Sequence, residues 1–125
     1  VKGNVDSGQF NAIQWAGVAA LEGYQREEVR RQRAIYQARR DVLCDGLRRL
    51  GYELVPPSAT FYVWAKCPDG VDSMSFAKRC LTEQAVVLIP GVGFGSAGEG
   101  YFRAALTVEV ERIEQAIDRL AKIKW

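Results

Sequence analysis

Apolar residues recur at helical spacing in four stretches of the chain, and each stretch predicts a helix. The first helix is expected from about residue 8 to about residue 22, and it ends at Gly23. The segment "YQREEVRRQRAIYQARRDVLCDGLRRLG" predicts a long second helix that is capped by Gly51. The apolar stripe of this helix consists of Val29, Tyr36, Leu43, Leu47 and Leu50. Asp72 or Ser73 is expected to cap a third helix. The apolar positions of the last helix are Val110, Ile113, Ile117 and Leu120.

The pattern changes to strands after Gly51. The stretches "YELV", "FYVWAK", "AVVLIP" and "GEGYFRAALT" are rich in aromatic and β-branched residues and predict four short strands. The order is therefore two helices, two strands, a helix, two strands and a helix. This order predicts an α+β sandwich, in which a small, mostly antiparallel sheet is covered by helices.

The last of these strands contains one charged residue, Arg103. Alternation places Tyr101, Arg103 and Ala105 on one face, and the other face carries Phe102, Ala104 and Leu106. A guanidinium has five donors and no acceptor, so an apolar strand needs an anion or several carbonyl groups to satisfy it. Two interpretations remain open on this pattern. Arg103 is either a solvated position on a half-buried strand or a ligand for a carboxylate.

Composition and charge exclude several classes of function. Net charge is +2, from 17 basic and 15 acidic residues, which argues against a nucleic-acid partner. The eight arginines of the long segment alternate with acidic residues, as in the pairs Glu27–Arg31 and Asp45–Arg49, and predict a solvated, salt-bridged face. No stretch has the apolar length of a transmembrane helix and no signal peptide opens the sequence, so we expect a cytoplasmic protein.

The chain contains no histidine, which removes Ser-His-Asp triads, Cys-His dyads and HExxH zinc sites. The three cysteines, Cys44, Cys67 and Cys80, are widely spaced and predict reduced thiols, with no disulfide framework and no metal site. The glycine-rich stretch "PGVGFGSAGEG" lacks the Lys-Ser/Thr ending of a P-loop, and Ser96 occupies the third glycine position of a dinucleotide fingerprint. This stretch is therefore interpreted as a flexible connection or as the edge of a pocket beside Arg103.

Several motifs in this order resemble one known family. "TFYxW", "PGxxFG" and "FRxxL", together with "NVDSGQFNAIQWAGVAAL" near the start, are similar to the class I and II aminotransferases, which use pyridoxal phosphate and share the fold of aspartate aminotransferase (fold type I). The branch that holds LL-diaminopimelate aminotransferase and related alanine or aspartate aminotransferases is the most similar in character. The resemblance covers essentially the whole chain.

The resemblance implies that the chain is the C-terminal part of such an enzyme. Residues 1–23 would end the large, cofactor-binding domain and include one helix, and residues 24–125 would form the long connecting helix and the small domain. The intact enzyme would transfer an amino group between an amino acid and a 2-oxo acid. It would be a homodimer without nucleic-acid or membrane partners. A free-standing α+β module for ligand binding or regulation is the alternative.

The resemblance also assigns roles to residues. Arg103 would form a bidentate pair with the substrate α-carboxylate, Asn4 would lie in a loop at the dimer interface near the active site, and Tyr62 would line the pocket together with Phe61. For Asn4 the alternative is helix entry, and for Tyr62 and Phe61 it is core packing. Phe94 would belong to a mobile segment at the substrate entrance, together with Gly95.

The chemistry of the cofactor is expected outside this chain. The Schiff-base lysine of the family would lie upstream, since none of the five lysines, Lys2, Lys66, Lys78, Lys122 and Lys124, occurs in a matching motif. This chain would then contribute no catalytic and no cofactor-binding residue, and alone it would bind no pyridoxal phosphate and be inactive. Glu109 stands where many relatives have a proline that opens the last helix.

Overall fold

A computed structural model describes residues 8–125. This part of the chain contains four α-helices and a three-stranded antiparallel sheet. The elements are α1 (Asn11–Glu22), α2 (Glu27–Arg49), β1 (Tyr62–Lys66), α3 (Ser73–Gln84), β2 (Ile89–Pro90), β3 (Tyr101–Ala105) and α4 (Val110–Leu120). The expected α+β fold with a small antiparallel sheet is confirmed.

The chain divides into two compact units, Val1–Ile35 and Tyr36–Trp125. The division falls within α2, and the predicted domain boundary at residues 23 and 24 stays a prediction. In the first unit, α1 buries none of its residues. Its large apolar side chains are strongly exposed, for example Trp15 at 71% and Leu21 at 78%, and so is Phe10, just before the helix, at 75%.

The C-terminal half of α2 belongs to the second unit and contributes Leu43 and Leu47 to the core. Gly51 follows the helix at φ 88°, and the amide of Tyr52 donates to the carbonyl of Leu47 at 3.0 Å. The predicted glycine cap is therefore confirmed, because this left-handed conformation favours glycine. The predicted pairing of Asp45 differs in detail, since Asp45 lies 3.7 Å from Arg48, at i+3.

Strand β3 is the centre of the sheet, with β1 on one side and β2 on the other. Both neighbours are antiparallel to it. Its inner face places Phe102 and Ala104 in the core, where both are buried. The other core residues of the described chain include Leu43, Leu47, Val63, Ala65, Phe76, Leu106, Ile113, Ile117 and Leu120.

Two of the four predicted strands are wrong in extent. In "YELV" only Leu54 forms a bridge, to Ala65, and in "AVVLIP" only Ile89–Pro90 is a strand. The amide of Tyr52 is used by the cap of α2, and the amide of Val86 donates to the carbonyl of Cys80 at the end of α3. These two amides are used to cap helices, so they are not available for hydrogen bonds of a longer strand. Pro56 and Pro57 have no amide hydrogen, so "YELV" is not extended beyond Val55.

The three cysteines are free and buried, as predicted for reduced thiols. Burial raises the pKa of Cys67 to about 11 and that of Cys80 to about 12. Within residues 8–125, no helix is both long and apolar enough to span a membrane.

Candidate functional site

Arg103 lies at the middle of the central strand, on the face of the sheet opposite the core. Its cross-strand partners are Trp64 on β1 and Ile89 on β2. The predicted alternation is confirmed, because Phe102 and Ala104 on the other face are buried whereas Arg103 is half-buried and Tyr101 is 38% exposed. We call this surface the outer face and define it by its residues: Tyr62, Trp64, Ile89, Tyr101 and Arg103.

Two aromatic rings hold the Arg103 guanidinium. Its central carbon lies 4.0 Å from the ring centroid of Tyr62 and 4.3 Å from that of Phe94. Cation–π contacts of this kind favour the charged group and restrict its position. Trp64 supports Phe94 from the side, in an edge-on contact with centroids 5.6 Å apart. The guanidinium is therefore positioned by rings, which provide no carboxylate or carbonyl oxygen.

The hydrogen-bond donors of Arg103 have no partner in the described part of the protein. Within residues 8–125, its guanidinium makes no hydrogen bond and no salt bridge, and its contacts are those with the two rings. Arg39 gives the contrast in the same domain, since it donates to Glu109 at 2.5 Å and to the carbonyl of Leu106 at 3.2 Å. A partly buried guanidinium with aromatic support and free donors is suited to bind a planar anion, and a carboxylate accepts two parallel N–H bonds from it.

Phe94 is brought to Arg103 by the glycine-rich stretch, which forms two short 3-10 turns, Gly91–Phe94 and Ser96–Gly98. We call residues 91–98 the Phe94 loop. The backbones of Gly91 and Gly98 touch, since a Cβ added at Gly91 would lie 2.0 Å from the carbonyl oxygen of Gly98. Gly95 has φ 115°, a conformation that side chains disfavour. Gly91 and Gly98 therefore serve the close packing of the loop, and Gly95 serves its turn. The expectation of a pocket edge beside Arg103 stays a prediction.

Ser73 and Glu99 fasten the base of the Phe94 loop, and sequence reasoning missed this pair as a unit. One carboxylate oxygen of Glu99 accepts from the amide of Ser73 at 2.7 Å and from that of Gly100 at 2.8 Å. The other accepts from the Ser73 hydroxyl at 3.1 Å. These amide bonds lower the pKa of Glu99. The only sequence signal was an acidic residue inside a glycine-rich loop.

The other predicted site residues have different outcomes. Tyr62 is brought to Arg103, as described above. Phe61 is 43% exposed and contacts the ring of Tyr62, with centroids 4.4 Å apart. Asn4 lies outside the described residues. The departure at Glu109 has a structural explanation, because its carboxylate pairs with the buried Arg39.

No lysine of the described chain is suited to anchor pyridoxal phosphate. Lys66 lies 3.1 Å from Asp69 and 3.6 Å from Glu53, and these carboxylates raise its pKa. Lys78, Lys122 and Lys124 are exposed. An amine that forms a Schiff base requires a lowered pKa, which burial or a neighbouring cation provides. The residues present therefore do not fit the covalent attachment of this cofactor.

Comparison with known proteins identifies the family. A family model described as aminotransferase class I and II matches residues 4–120. The chain belongs to this family. It is 50% identical over its whole length to the LL-diaminopimelate aminotransferase of Syntrophobacter fumaroxidans, of which it covers 32%. It is also 50% identical to the LL-diaminopimelate aminotransferase of Moorella thermoacetica, over 98% of this chain and 31% of the relative.

Solved structures of aminotransferases have the same fold. The chain superposes on a probable N-succinyldiaminopimelate aminotransferase from Thermus thermophilus with a TM-score of 0.81 and 36% identity, over 97% of this chain and 32% of that one. The resemblance to aminotransferases seen in the sequence motifs is thus confirmed. The chain spans about a third of the length of the curated relatives that it matches.

Proposed function

We propose that this chain is the C-terminal part of a pyridoxal-phosphate-dependent aminotransferase, which transfers an amino group between an amino acid and a 2-oxo acid. Membership of the family and the names of relatives at 50% identity support this assignment. The chain corresponds to about a third of those relatives, so the remaining two thirds would include the cofactor-binding lysine. Pyridoxal phosphate, when bound there, supplies the aldehyde and the electron sink that amino-group transfer requires.

Within this enzyme, Arg103 binds the α-carboxylate of the substrate. The observation that carries this role is a guanidinium that is held by Tyr62 and Phe94 and makes no hydrogen bond within residues 8–125. Its function is to bind and orient the amino acid, because a guanidinium remains charged and does not transfer protons at neutral pH. Tyr62 lines the same site, where its ring contacts the guanidinium.

The exposed apolar residues of the first unit favour the proposal that this chain is part of a larger protein. Helix α1 exposes Trp15 and Leu21, and Phe10, which precedes it, is also exposed. A soluble protein covers such a surface with another part of the chain or with a second subunit. We therefore assign residues 1–23 to the end of the large domain. The enzyme is proposed to be a homodimer, with Asn4 near the subunit interface.

The test uses the full-length gene product that contains this chain, loaded with pyridoxal phosphate. LL-diaminopimelate is the first amino donor to assay, because the relatives at 50% identity are named for it. Arg103→Gln removes two charge-assisted hydrogen bonds to a carboxylate, and kcat/KM is expected to fall by about a hundredfold or more. Arg103→Lys keeps the positive charge but lacks the two parallel donors of a guanidinium. Its kcat/KM is therefore expected to lie between those of the parent and of Arg103→Gln.

Arg112→Gln is the matched control, since Arg112 is exposed on α4 and its guanidinium bonds only Gln115 in the described chain. Its kcat/KM is expected to remain that of the parent. An Arg103→Gln enzyme with an unchanged kcat/KM for the amino acid would refute the role of Arg103. Absence of transamination with any amino acid, despite bound cofactor, would refute the assignment to aminotransferases.

A further inference from the structure

The Phe94 loop is closed at its base by a partly buried polar contact between Ser73 and the exposed Glu99. Ser73, the first residue of α3, is fully buried, and its hydroxyl accepts from the amide of Val92 at 3.3 Å while it donates to Glu99 at 3.1 Å. Val92 lies two residues before Phe94, and Glu99 lies four residues before Arg103. One serine side chain thus connects the two ends of the loop to α3.

The same base is fixed by the crossing of Gly91 and Gly98. The Cβ of any other residue at either position would lie about 2 Å from the facing carbonyl oxygen, so the two backbones are in van der Waals contact. Rotation of the loop about its ends must then break the bonds to Glu99 or separate this contact. Phe94 is 50% exposed and receives its position from the loop rather than from burial in the core.

We propose that Ser73 and Glu99 are positioning residues for substrate binding, because they hold Phe94 over the Arg103 guanidinium. This inference rests on the proposed function of Arg103 as the carboxylate ligand. Neither residue touches Arg103 directly, and their effect passes through the Phe94 ring, 4.3 Å from the guanidinium carbon. Loss of the base frees the loop and allows Arg103 to sample orientations that do not match a bound carboxylate.

The side-chain chemistry of Glu99 offers a matched pair of variants. Glu99→Ala removes the acceptor of all three bonds. Glu99→Gln keeps them, since its carbonyl oxygen accepts from the amides of Ser73 and Gly100, and its amide group donates to the Ser73 hydroxyl. If the hydrogen bonds position the loop, Glu99→Gln retains function and Glu99→Ala does not.

The experiment measures kcat and KM for LL-diaminopimelate in the full-length holoenzyme. Glu99→Ala is expected to raise KM for the amino acid about tenfold, and Glu99→Gln is expected to restore the parent value within about twofold. Phe94→Ala is expected to raise KM by a similar factor. Glu111→Ala, on the exposed first turn of α4, is the control for loss of a surface carboxylate and is expected to have no effect.

A double-mutant cycle separates positioning from general destabilisation. In the Phe94→Ala background, Glu99→Ala is expected to change KM by less than about twofold, because the ring through which it acts is gone. An undiminished effect of Glu99→Ala in that background would overturn the proposal. A normal KM in the Glu99→Ala single variant would also overturn it.

Ser73→Ala provides a second route if Glu99→Ala does not fold. It removes the bonds of the hydroxyl to Val92 and Glu99 but keeps the bond from the Ser73 amide to Glu99. Its KM is expected to rise, again only when Phe94 is present, and an unchanged KM would contradict the proposal. The Arg103→Gln enzyme distinguishes failure of the proposed carboxylate binding by Arg103 from failure of the positioning role of Ser73 and Glu99. If that enzyme is impaired and the Glu99 and Ser73 variants are normal, only the positioning role fails.

Discussion

Two glycines occur in the interior of helices, Gly17 in α1 and Gly46 in α2, and they provide a test of the packing between α2 and α4. A Cβ added at Gly46 would lie 2.2 Å from Cδ1, 2.7 Å from Cγ1 and 3.1 Å from Cγ2 of Ile117. A Cβ at Gly17 meets nothing within 4 Å. Alanine therefore produces a steric conflict at one glycine and none at the other.

The expected size of the effect follows from two opposing contributions. Alanine in place of glycine stabilises a helix interior by about 1 kcal/mol. Overpacking a core costs about 1 to 3 kcal/mol, and the upper half of that range applies here, because three atoms of Ile117 conflict. Rotation about χ2 moves only Cδ1, and rotation about χ1, which would move all three atoms, is restricted for a β-branched side chain in a helix. Ile117 is 5% exposed and belongs to the core cluster. Gly46→Ala is therefore expected to lower the free energy of unfolding by about 1 to 2 kcal/mol.

The assay is urea unfolding of the chain, followed by tryptophan fluorescence, with Gly17→Ala as the matched control. With a slope of about 2 kcal/mol per molar urea, the midpoint of Gly46→Ala is expected to fall by about 0.5 to 1 M. Gly17→Ala is expected to leave the midpoint unchanged or to raise it. A Gly46→Ala chain as stable as the parent would refute the close contact between α2 and α4.

A double variant tests the origin of the effect. Ile117→Ala alone is expected to cost about 2 to 4 kcal/mol by opening a cavity. When it is combined with Gly46→Ala, the new methyl group occupies part of that cavity, so the double variant is expected to be at least about 1 kcal/mol more stable than the sum of the two single effects predicts. If the effects of the two substitutions on the free energy of unfolding are strictly additive, the destabilisation by Gly46→Ala does not arise from contact with Ile117.

Two further predictions concern buried polar groups. Arg39→Lys is expected to lower the free energy of unfolding by about 1 to 2 kcal/mol in urea, because one ammonium group does not reproduce the bonds to both Leu106 and Glu109. Arg112→Lys is the control, and an unchanged Arg39→Lys midpoint contradicts the reasoning. The thiols of Cys67 and Cys80, whose pKa burial raises to about 11 and about 12, are expected to resist iodoacetamide at pH 8 in the folded chain and to react in urea. The unfolded thiols ionise near pH 8.5 whereas the folded ones stay protonated, so the free energy of unfolding is expected to decrease as pH rises above that value. Rapid alkylation of the folded chain would contradict the burial of these thiols.

The helices were predictable from the sequence because their signals are local. Periodic apolar positions and the glycine at residue 51 predicted α2 and its end, and Asp72 predicted the start of α3, where its carboxylate accepts from the amide of Ser75. The strands were less predictable. Their apolar stretches were recognised, but their lengths depend on which amides the caps of α2 and α3 use. The pattern of apolar residues does not show whether an amide bonds to a helix end or to a neighbouring strand.

The candidate site was predictable only in part, for the same reason. Alternation placed Arg103 on the face opposite the core, and the motif resemblance pointed to Tyr62 and Phe94. The contacts of Ser73 with Glu99, 26 residues apart, and of Arg39 with Glu109, 70 residues apart, join positions that share no periodic pattern. Such pairs become visible only when the chain is folded.

The two faces of β3 separate stability from binding within one short strand. Phe102 and Ala104 are buried and stabilise the fold. Arg103 lies between them in sequence but opposite Trp64 and Ile89, a position where a β-branched apolar residue would pack as well and expose no unsatisfied donors. The packing of this domain therefore does not explain an arginine here. The proposed carboxylate ligand accounts for it, since a carboxylate accepts two parallel N–H bonds from a guanidinium that makes no hydrogen bond within residues 8–125.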